Sequence, residues 1–238
     1  MKKDLYKFHY RGIHVSIHWT FLLVIIWFVS ANVLTGFTEN GWIWSLIMIF
    51  SLLASIFAHD LAQAIVGTVC GLEINRIIIM PSGSLPSISR KPTKKYYELL
   101  MLAAGPAANL GIAAFLSYFL QPYSAYWDEP VNIGVAYAGN FIFQLQFINL
   151  SLGLLNLLPS FPMDGGRALD TLLEKKYSAE KSRKIANLTS ILMAFGFFAG
   201  GIIYRKYPLL LIGIFILFTV NKGKYFHPLK REVTHTFN

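Results

Sequence analysis

Residues 42–69 read WIWSLIMIFSLLASIFAHDLAQAIVGTV, a long apolar run whose most polar side chains are His59, Asp60 and Gln63. A helix of about 20 such residues crosses the hydrocarbon core of a bilayer. Ionisable side chains inside a spanning helix are costly to bury, so they mark candidate functional sites. This stretch therefore predicts a transmembrane helix that carries a buried polar site.

The composition of the whole chain agrees with a membrane protein. Of its 238 residues, 55% are hydrophobic and only 14% are charged, whereas soluble domains carry roughly 25% charged residues. The net charge of +9 lies between the apolar runs instead of on one face, which excludes a nucleic-acid-binding protein. The single cysteine, Cys70, excludes an internal disulfide.

Five further apolar runs are long enough, or nearly long enough, to span a bilayer. The fifth and sixth runs almost touch, so they form either a tight helical hairpin or a partly re-entrant pair. We therefore predict an all-α polytopic membrane protein of about six transmembrane helices, with residues 1–238 forming a single membrane-embedded domain. The predicted spans are 17–36, 42–69, 99–120, 131–158, 185–204 and 207–220.

The lysines and arginines predict the orientation of these spans. Nearly all of them fall in the N-terminal tail, in the loops after the second and fourth spans, and in the C-terminal tail. Cytoplasmic segments of membrane proteins carry such an excess. Both termini are therefore predicted to be cytoplasmic.

The segment after the second span has a different character. Residues 76–88, RIIIMPSGSLPSI, begin with a β-branched run, continue through a Pro/Gly turn and end in a second short run. This pattern predicts a small β-hairpin on the cytoplasmic side. Its edge could pair with an extended peptide, or the segment could simply be a covering loop.

Two polar regions could carry chemistry. His59 and Gln63 are four residues apart and share a helix face, with Asp60 beside them. In an H-E-x-x-H helix this spacing places two imidazoles on zinc and the glutamate at the metal-bound water. Residues 156–167, NLLPSFPMDGGR, end a helix with prolines and hold Asp164 at a break where its carboxylate could complete a metal site.

The chain resembles the site-2 protease family of intramembrane zinc metalloproteases. Residues 156–167 match the third-ligand motif of that family almost letter for letter, with Asp164 at the ligand position. Residues 104–109, AGPAAN, resemble its Gly-Pro-x-x-Asn segment, residues 17–20 the start of its first span, and residues 79–84 its edge-strand loop. The resemblance implies zinc as cofactor and a set of substrate-positioning residues: Asn109, Gly105, Pro106, Ile77, Ile78, Ile79 and Met80.

The chain departs from this family at the H-E-x-x-H motif, which is His59-Asp60-Leu61-Ala62-Gln63. Aspartate is shorter than the glutamate that acts as general base, and a general base must reach its proton. Gln63 offers a neutral amide oxygen, whereas zinc prefers imidazole or thiolate. The implied metal ligands are His59, Gln63 and Asp164, the implied catalytic base is Asp60, and His18 is a possible substitute ligand.

Three classes of function follow from these observations. The favoured one is a weakened or inactive protease that binds a transmembrane substrate or partner within the lipid bilayer. The alternative is an active zinc-dependent intramembrane endopeptidase, and a distant third is a transporter, since transporters also use intramembrane polar residues. Without a metal, His59 and Asp60 would instead be a buried polar pair that joins neighbouring helices.

Overall fold

The computed structural model describes residues 4–10, 13–18, 26, 41–79, 85–90, 94–124 and 133–221. Within them six helices and four short strands follow one another along the chain. The strands are β1 Asp4–Tyr10, β2 Ile13–His18, β3 Glu73–Ile79 and β4 Leu85–Arg90; the helices are α1 Gly41–Val69, α2 Lys95–Ser124, α3 Ile133–Leu157, α4 Asp164–Leu173, α5 Ala179–Ile203 and α6 Tyr207–Asn221.

The apolar runs form helices, and the predicted helical membrane fold is confirmed. In the described part of the chain, three helical segments are long and apolar enough to cross a membrane, and two shorter apolar segments accompany them. Many large apolar side chains on these helices face outward, as expected where lipid is the solvent. The three long segments are Ile43–Val69, Lys95–Phe119 and Ala179–Ile203, and the shorter two are Phe141–Leu157 and Tyr207–Val220.

The fifth and sixth predicted spans form a tight helical hairpin. Residues 204–206 alone separate α5 from α6, and Arg205 adopts a positive φ of 52° in this turn. Two glycines let the helices approach closely, because a Cβ on Gly201 would meet the Leu210 side chain and one on Gly213 would lie 3.0 Å from the Ala194 carbonyl oxygen. The re-entrant alternative is therefore not needed to explain their short connection.

The four strands form one small sheet in the order β1-β2-β3-β4. Strand β2 pairs antiparallel with β1, so that His9 faces His14 in the backbone register. On its other side β2 pairs parallel with β3, with Val15 beside Ile77 and Ile17 beside Ile79. The predicted turn of the hairpin, residues 80–84, lies outside the described residues, so the turn stays a prediction.

The predicted start of the first span is wrong. Ile17 and His18 belong to β2, whereas the span was predicted to begin at residue 17. The sequence IHVSIH of this strand alternates apolar and polar residues with the period of two that is typical of a half-buried strand. Apart from Ile26, which is helical, the rest of the predicted span lies outside the described residues.

The structure shows no open edge at Ile77, Ile78 and Ile79, and the substrate-positioning role of these residues stays a prediction. These residues lie in β3, which has β2 on one side and β4 on the other. A strand in the interior of a sheet has both rows of backbone groups paired, so it cannot accept a further strand. An extended segment could join this sheet only at β1 or β4, while Met80 lies outside the described residues.

Contacts along the chain divide it into two compact units. The first contains most of α1, the C-terminal part of α2 and most of α3, and the second contains α4, α5 and α6. Whether the two units form the single predicted domain stays a prediction. Their bounds are Met1–Ala64, Arg76–Pro86 and Ala104–Leu155 for the first, and Ile65–Asn75, Ser87–Ala103 and Asn156–Asn238 for the second.

Candidate functional site: a buried imidazole between two amides

The predicted pair on α1 comes together in the first unit. His59 and Gln63 are each 1% exposed, and Gln63 Nε2 lies 3.2 Å from His59 Nε2. Asp60, at the next position of the same helix, is 3% exposed. The four-residue spacing therefore places the imidazole and the amide side by side in the protein interior, as predicted from the helix period.

Asn109 on α2 reaches the other nitrogen of the same ring. Its Nδ2 atom lies 3.3 Å from His59 Nδ1, and the side chain is fully buried. A neutral imidazole donates a hydrogen bond from one nitrogen and accepts one at the other. At least one ring nitrogen carries a proton and donates, so at least one of the two flanking amides turns its oxygen toward the ring, and the three side chains then form a continuous hydrogen-bonded chain.

Gly105 fixes the ring from a third direction. A Cβ built on Gly105 would lie 2.6 Å from both Cδ2 and Cε1 of His59, and closer still to Nε2. Similar short distances to three ring atoms place this position over the face of the imidazole and not in its plane. The neighbouring Pro106 is fully buried as well. Gly105 thus packs against His59, and the substrate-positioning roles predicted for Gly105 and Pro106 stay predictions.

A further hydrogen bond joins α1 to α3, one helical turn before His59. Asn149 Nδ2 on α3 donates to Ser55 Oγ at 3.0 Å and to the Leu145 carbonyl oxygen at 2.9 Å. Ser55 itself donates to the Ser51 carbonyl oxygen at 2.8 Å. Hydrogen bonds between buried polar side chains are a common means of joining transmembrane helices. Ser55 lies four residues before His59 on the same face of α1, but the sequence pattern did not mark it as a site residue.

Asp164 begins α4 in the second unit. Its carboxylate Oδ1 accepts a hydrogen bond from Arg167 Nη1 at 3.4 Å, and an acidic residue is favoured in the first turn of a helix by the helix dipole. Gly165 and Gly166 allow the helix to begin here, since a Cβ on either would clash with the backbone of residues 157–161. The predicted meeting of Asp164 with His59 stays a prediction.

The loop that leads to Asp164 is held by the helix after it. Phe161 N donates to Ser190 Oγ at 2.8 Å, and Met163 packs against Ala194 and Ile216. The guanidinium carbon of Arg183 lies 5.1 Å from the centre of the Phe161 ring. These contacts come from α5 and α6, which fix the position of the loop within the second unit.

Arg183 also pairs with a buried carboxylate. Its Nη2 atom lies 2.8 Å from Oδ2 of Asp170, whose side chain is 7% exposed. The basic residues of this region indicated only the membrane topology, so the sequence did not predict this pair. One feature of the sequence could have pointed to this pair, because Asp170 is an acidic residue only six positions after Asp164.

A catalytic zinc site normally has three strong protein ligands and one open position. The nitrogen Nε2 faces the side chain at the i+4 position, so it is the ring atom that would face a metal ion in an H-E-x-x-H helix. Here an amide occupies that position, and amides are poor ligands for zinc. Among the described residues, no three histidine, cysteine, aspartate or glutamate side chains are grouped so that they could hold a metal ion. The donor set therefore fits catalytic zinc poorly.

His18 was predicted as a possible substitute ligand. The structure places its backbone at the end of β2, opposite Asp4 in the antiparallel register. It therefore lies in a strand and not at the start of the first predicted span. Its role as a ligand stays a prediction.

Comparison with known proteins identifies the family. Residues 128–197, which include Asp164 but not His59, match Peptidase family M50. The chain is 30% identical over 223 residues to a zinc metalloprotease of Methanocaldococcus jannaschii, covering 92% of this chain and 60% of the relative. The solved structure of a site-2 protease from Methanocaldococcus jannaschii superimposes with a TM-score of 0.70 at 29% identity, covering 91% of this chain and 94% of that one. The chain belongs to the site-2 protease family.

A further relative lies at lower similarity. Stage IV sporulation protein FB of Bacillus subtilis is 24% identical over 170 residues, which cover 70% of this chain and 51% of the relative. The chain thus spans between about half and three fifths of the curated relatives described here. It is an integral membrane member of the site-2 protease family, with zinc metalloproteases among its relatives.

Proposed function

We propose that this chain is a non-catalytic member of the site-2 protease family that binds a membrane-embedded protein without cleaving it. The observation that supports this proposal most is the position of Gln63, whose amide lies 3.2 Å from the ring nitrogen that a metal ion would require. With Asn109 at the other ring nitrogen, the imidazole has hydrogen-bonding partners on both sides without a metal.

The general base is the second part of the site that is weakened relative to the family motif. Asp60 stands where the family motif has glutamate, and its carboxylate is one methylene closer to the helix backbone. A base must come within hydrogen-bond reach of the proton that it removes. We therefore expect aspartate at position 60 to lower the rate of peptide hydrolysis even if a zinc ion were bound. Glutamine at position 63 lowers the expected rate as well.

The second candidate function is an active zinc-dependent endopeptidase that cleaves a membrane-embedded substrate. The intact motif around Asp164 and the zinc metalloproteases among the relatives favour it. In that case His59, Gln63 and Asp164 would hold the ion, which would supply an activated water, and Asp60 would be the base. Asn109 would position the substrate.

The proposed orientation places both termini in the cytoplasm, because nearly all lysines and arginines lie on the same side of the predicted spans. The partner is then a protein that spans the same bilayer. A transporter function is the least favoured, since transport gives no reason for the Asp164 motif.

A cleavage assay on four variants tests the proposal. The native chain, Asp60→Glu, Gln63→His and the double variant are reconstituted with a fluorescent single-span substrate. We expect no cleavage by the native chain or by Asp60→Glu, and the highest activity in the double variant, because it restores both the second imidazole and the longer base.

His59→Ala, placed in the double variant, is the control for contaminating proteases and should abolish cleavage. Cleavage by the native chain that is lost in its own His59→Ala variant would overturn the proposal and establish the endopeptidase.

A further inference from the structure

Charged first turns precede the apolar parts of α2 and α5. The two helices begin at Lys95 and Ala179, whereas their apolar runs begin at Leu99 and Ile185. With a rise of about 1.5 Å per residue, these polar turns extend about 6–9 Å beyond the hydrocarbon core. The headgroup layer on each side of the core is about 5–8 Å thick. Both polar turns therefore lie at the depth of the lipid headgroups.

Two ion pairs join these turns to the end of α4. Lys95 Nζ lies 3.1 Å from Oε2 of Glu174, the residue directly after α4. The pair of Arg183 and Asp170 joins α5 to the same helix. All four residues belong to the second unit. The starts of α2 and α5 and the end of α4 thus form one continuous surface.

This surface carries an excess of positive charge. Four of its lysines are exposed, and none of them forms an ion pair within the part of the chain that the structure describes. In the same segments Glu98 is the one described acidic residue outside an ion pair, which leaves a net charge of +3. The four lysines, which we call the basic surface, are Lys94, Lys175, Lys176 and Lys181.

Two exposed tyrosines lie among these lysines. Tyr96 is 44% exposed and Tyr177 is 40% exposed. Lys94 Nζ lies 5.9 Å from the centre of the Tyr96 ring, and Lys181 Nζ lies 4.6 Å from that of Tyr177. Tyrosine is enriched where a membrane meets water, because its ring is apolar and its hydroxyl is polar. The tyrosines therefore support the same depth for the basic surface.

We propose that the basic surface binds the phosphate groups of anionic phospholipids. Lysines at this depth attract negatively charged headgroups, and a cluster of lysines attracts them more strongly than a single one. The headgroups lie beside the surface already, so no protein partner is needed to supply the negative charge. The orientation proposed above places the surface in the cytoplasmic leaflet, where anionic lipids are concentrated.

The competing explanation is that these lysines only orient the spans during membrane insertion. In that case the folded protein would not distinguish anionic from zwitterionic lipids. The two explanations therefore differ in a property of the folded chain that can be measured directly.

Native mass spectrometry of the full chain in detergent measures this property. The protein is titrated with phosphatidylglycerol or with phosphatidylcholine of the same acyl chains. We expect phosphatidylglycerol to bind about tenfold more tightly, because each lysine near a headgroup contributes roughly a fivefold attraction. Lys175→Gln combined with Lys176→Gln should reduce this preference to about twofold. A higher ionic strength should weaken the preference of the native chain, because salt screens exposed charges.

Arg205→Gln combined with Lys206→Gln is the matched control. It removes the same charge from the other end of α5, where these two are the basic residues of a short turn. This variant should keep most of the preference, and so should Lys175→Arg combined with Lys176→Arg, which retains the charge.

Two results would overturn the proposal. Equal binding of both lipids by the native chain would leave the lysines as determinants of topology, or as a contact for an acidic segment of another protein. An equal loss of preference in the two glutamine variants would show that total charge decides, and not the basic surface. These variants leave the His59 cluster unchanged, so the cleavage assay decides the proposed function independently.

Discussion

At the scale of the residue, His59 is held by three neighbours of different kinds. Gln63 and Asn109 flank its two nitrogens, and Gly105 packs against its face. The sequence predicted that these residues matter and that His59 and Gln63 share a helix face. It could not predict which amide faces which nitrogen, because this depends on the approach of α2 to α1 and not on spacing within either helix.

Gly105→Ala should lower stability through the His59 ring. The added methyl would overlap the ring, and overpacking a filled interior costs about 1–3 kcal/mol. Unfolding of the purified protein in a denaturing detergent would measure the loss. Gly111→Ala is the control on the same helix, because a Cβ there meets nothing within 4 Å. Equal stability of the two variants would contradict the close contact of Gly105 with the imidazole.

Among the secondary-structure elements, the strands were predictable only in part, because the sequence shows their periodicity but not their pairing. The alternation in Ile13–His18 was visible in the sequence, yet the apolar run that follows suggested an earlier start for the first span. The sequence of β3 predicted a strand, but not that both of its neighbours would be strands. Its pairing with β2 joins segments about 60 residues apart, and a local pattern carries no information on such a contact.

The pair of Asp170 and Arg183 joins α4 to α5 and supports the loop before Asp164. We expect Arg183→Met to destabilise the protein by about 1–2 kcal/mol, less than a fully buried pair because the arginine is one-third exposed. The variant also removes the contact with the Phe161 ring. Thermal unfolding in detergent would measure the difference.

Lys184→Met provides the comparison for this prediction. Lys184 is the next residue and forms an ion pair with Glu180, but both side chains are largely exposed. Exposed pairs contribute little to stability. If Lys184→Met were as destabilising as Arg183→Met, the buried pair would have no special role in holding α4 against α5.

For the whole molecule, the length of each apolar run was the feature that predicted the transmembrane helices. Five of the six predicted spans coincide with described helices, because a spanning helix must satisfy its own backbone hydrogen bonds and must be long and apolar. The short helix α4 between the fourth and fifth spans was not predicted. Asp164 was predicted at a helix break, and the structure places it at the first residue of this helix.

We propose that the His59 cluster is a hydrogen-bonded amide–imidazole chain that holds no zinc ion. The most direct test is the zinc content per chain of the purified native protein, measured by mass spectrometry after exposure to zinc and buffer exchange. We predict far less than one zinc per chain in the native protein, and about one in the variant with Asp60→Glu and Gln63→His, which regains the second imidazole. One tightly held zinc per native chain, lost on Asp164→Ala, would contradict the claim.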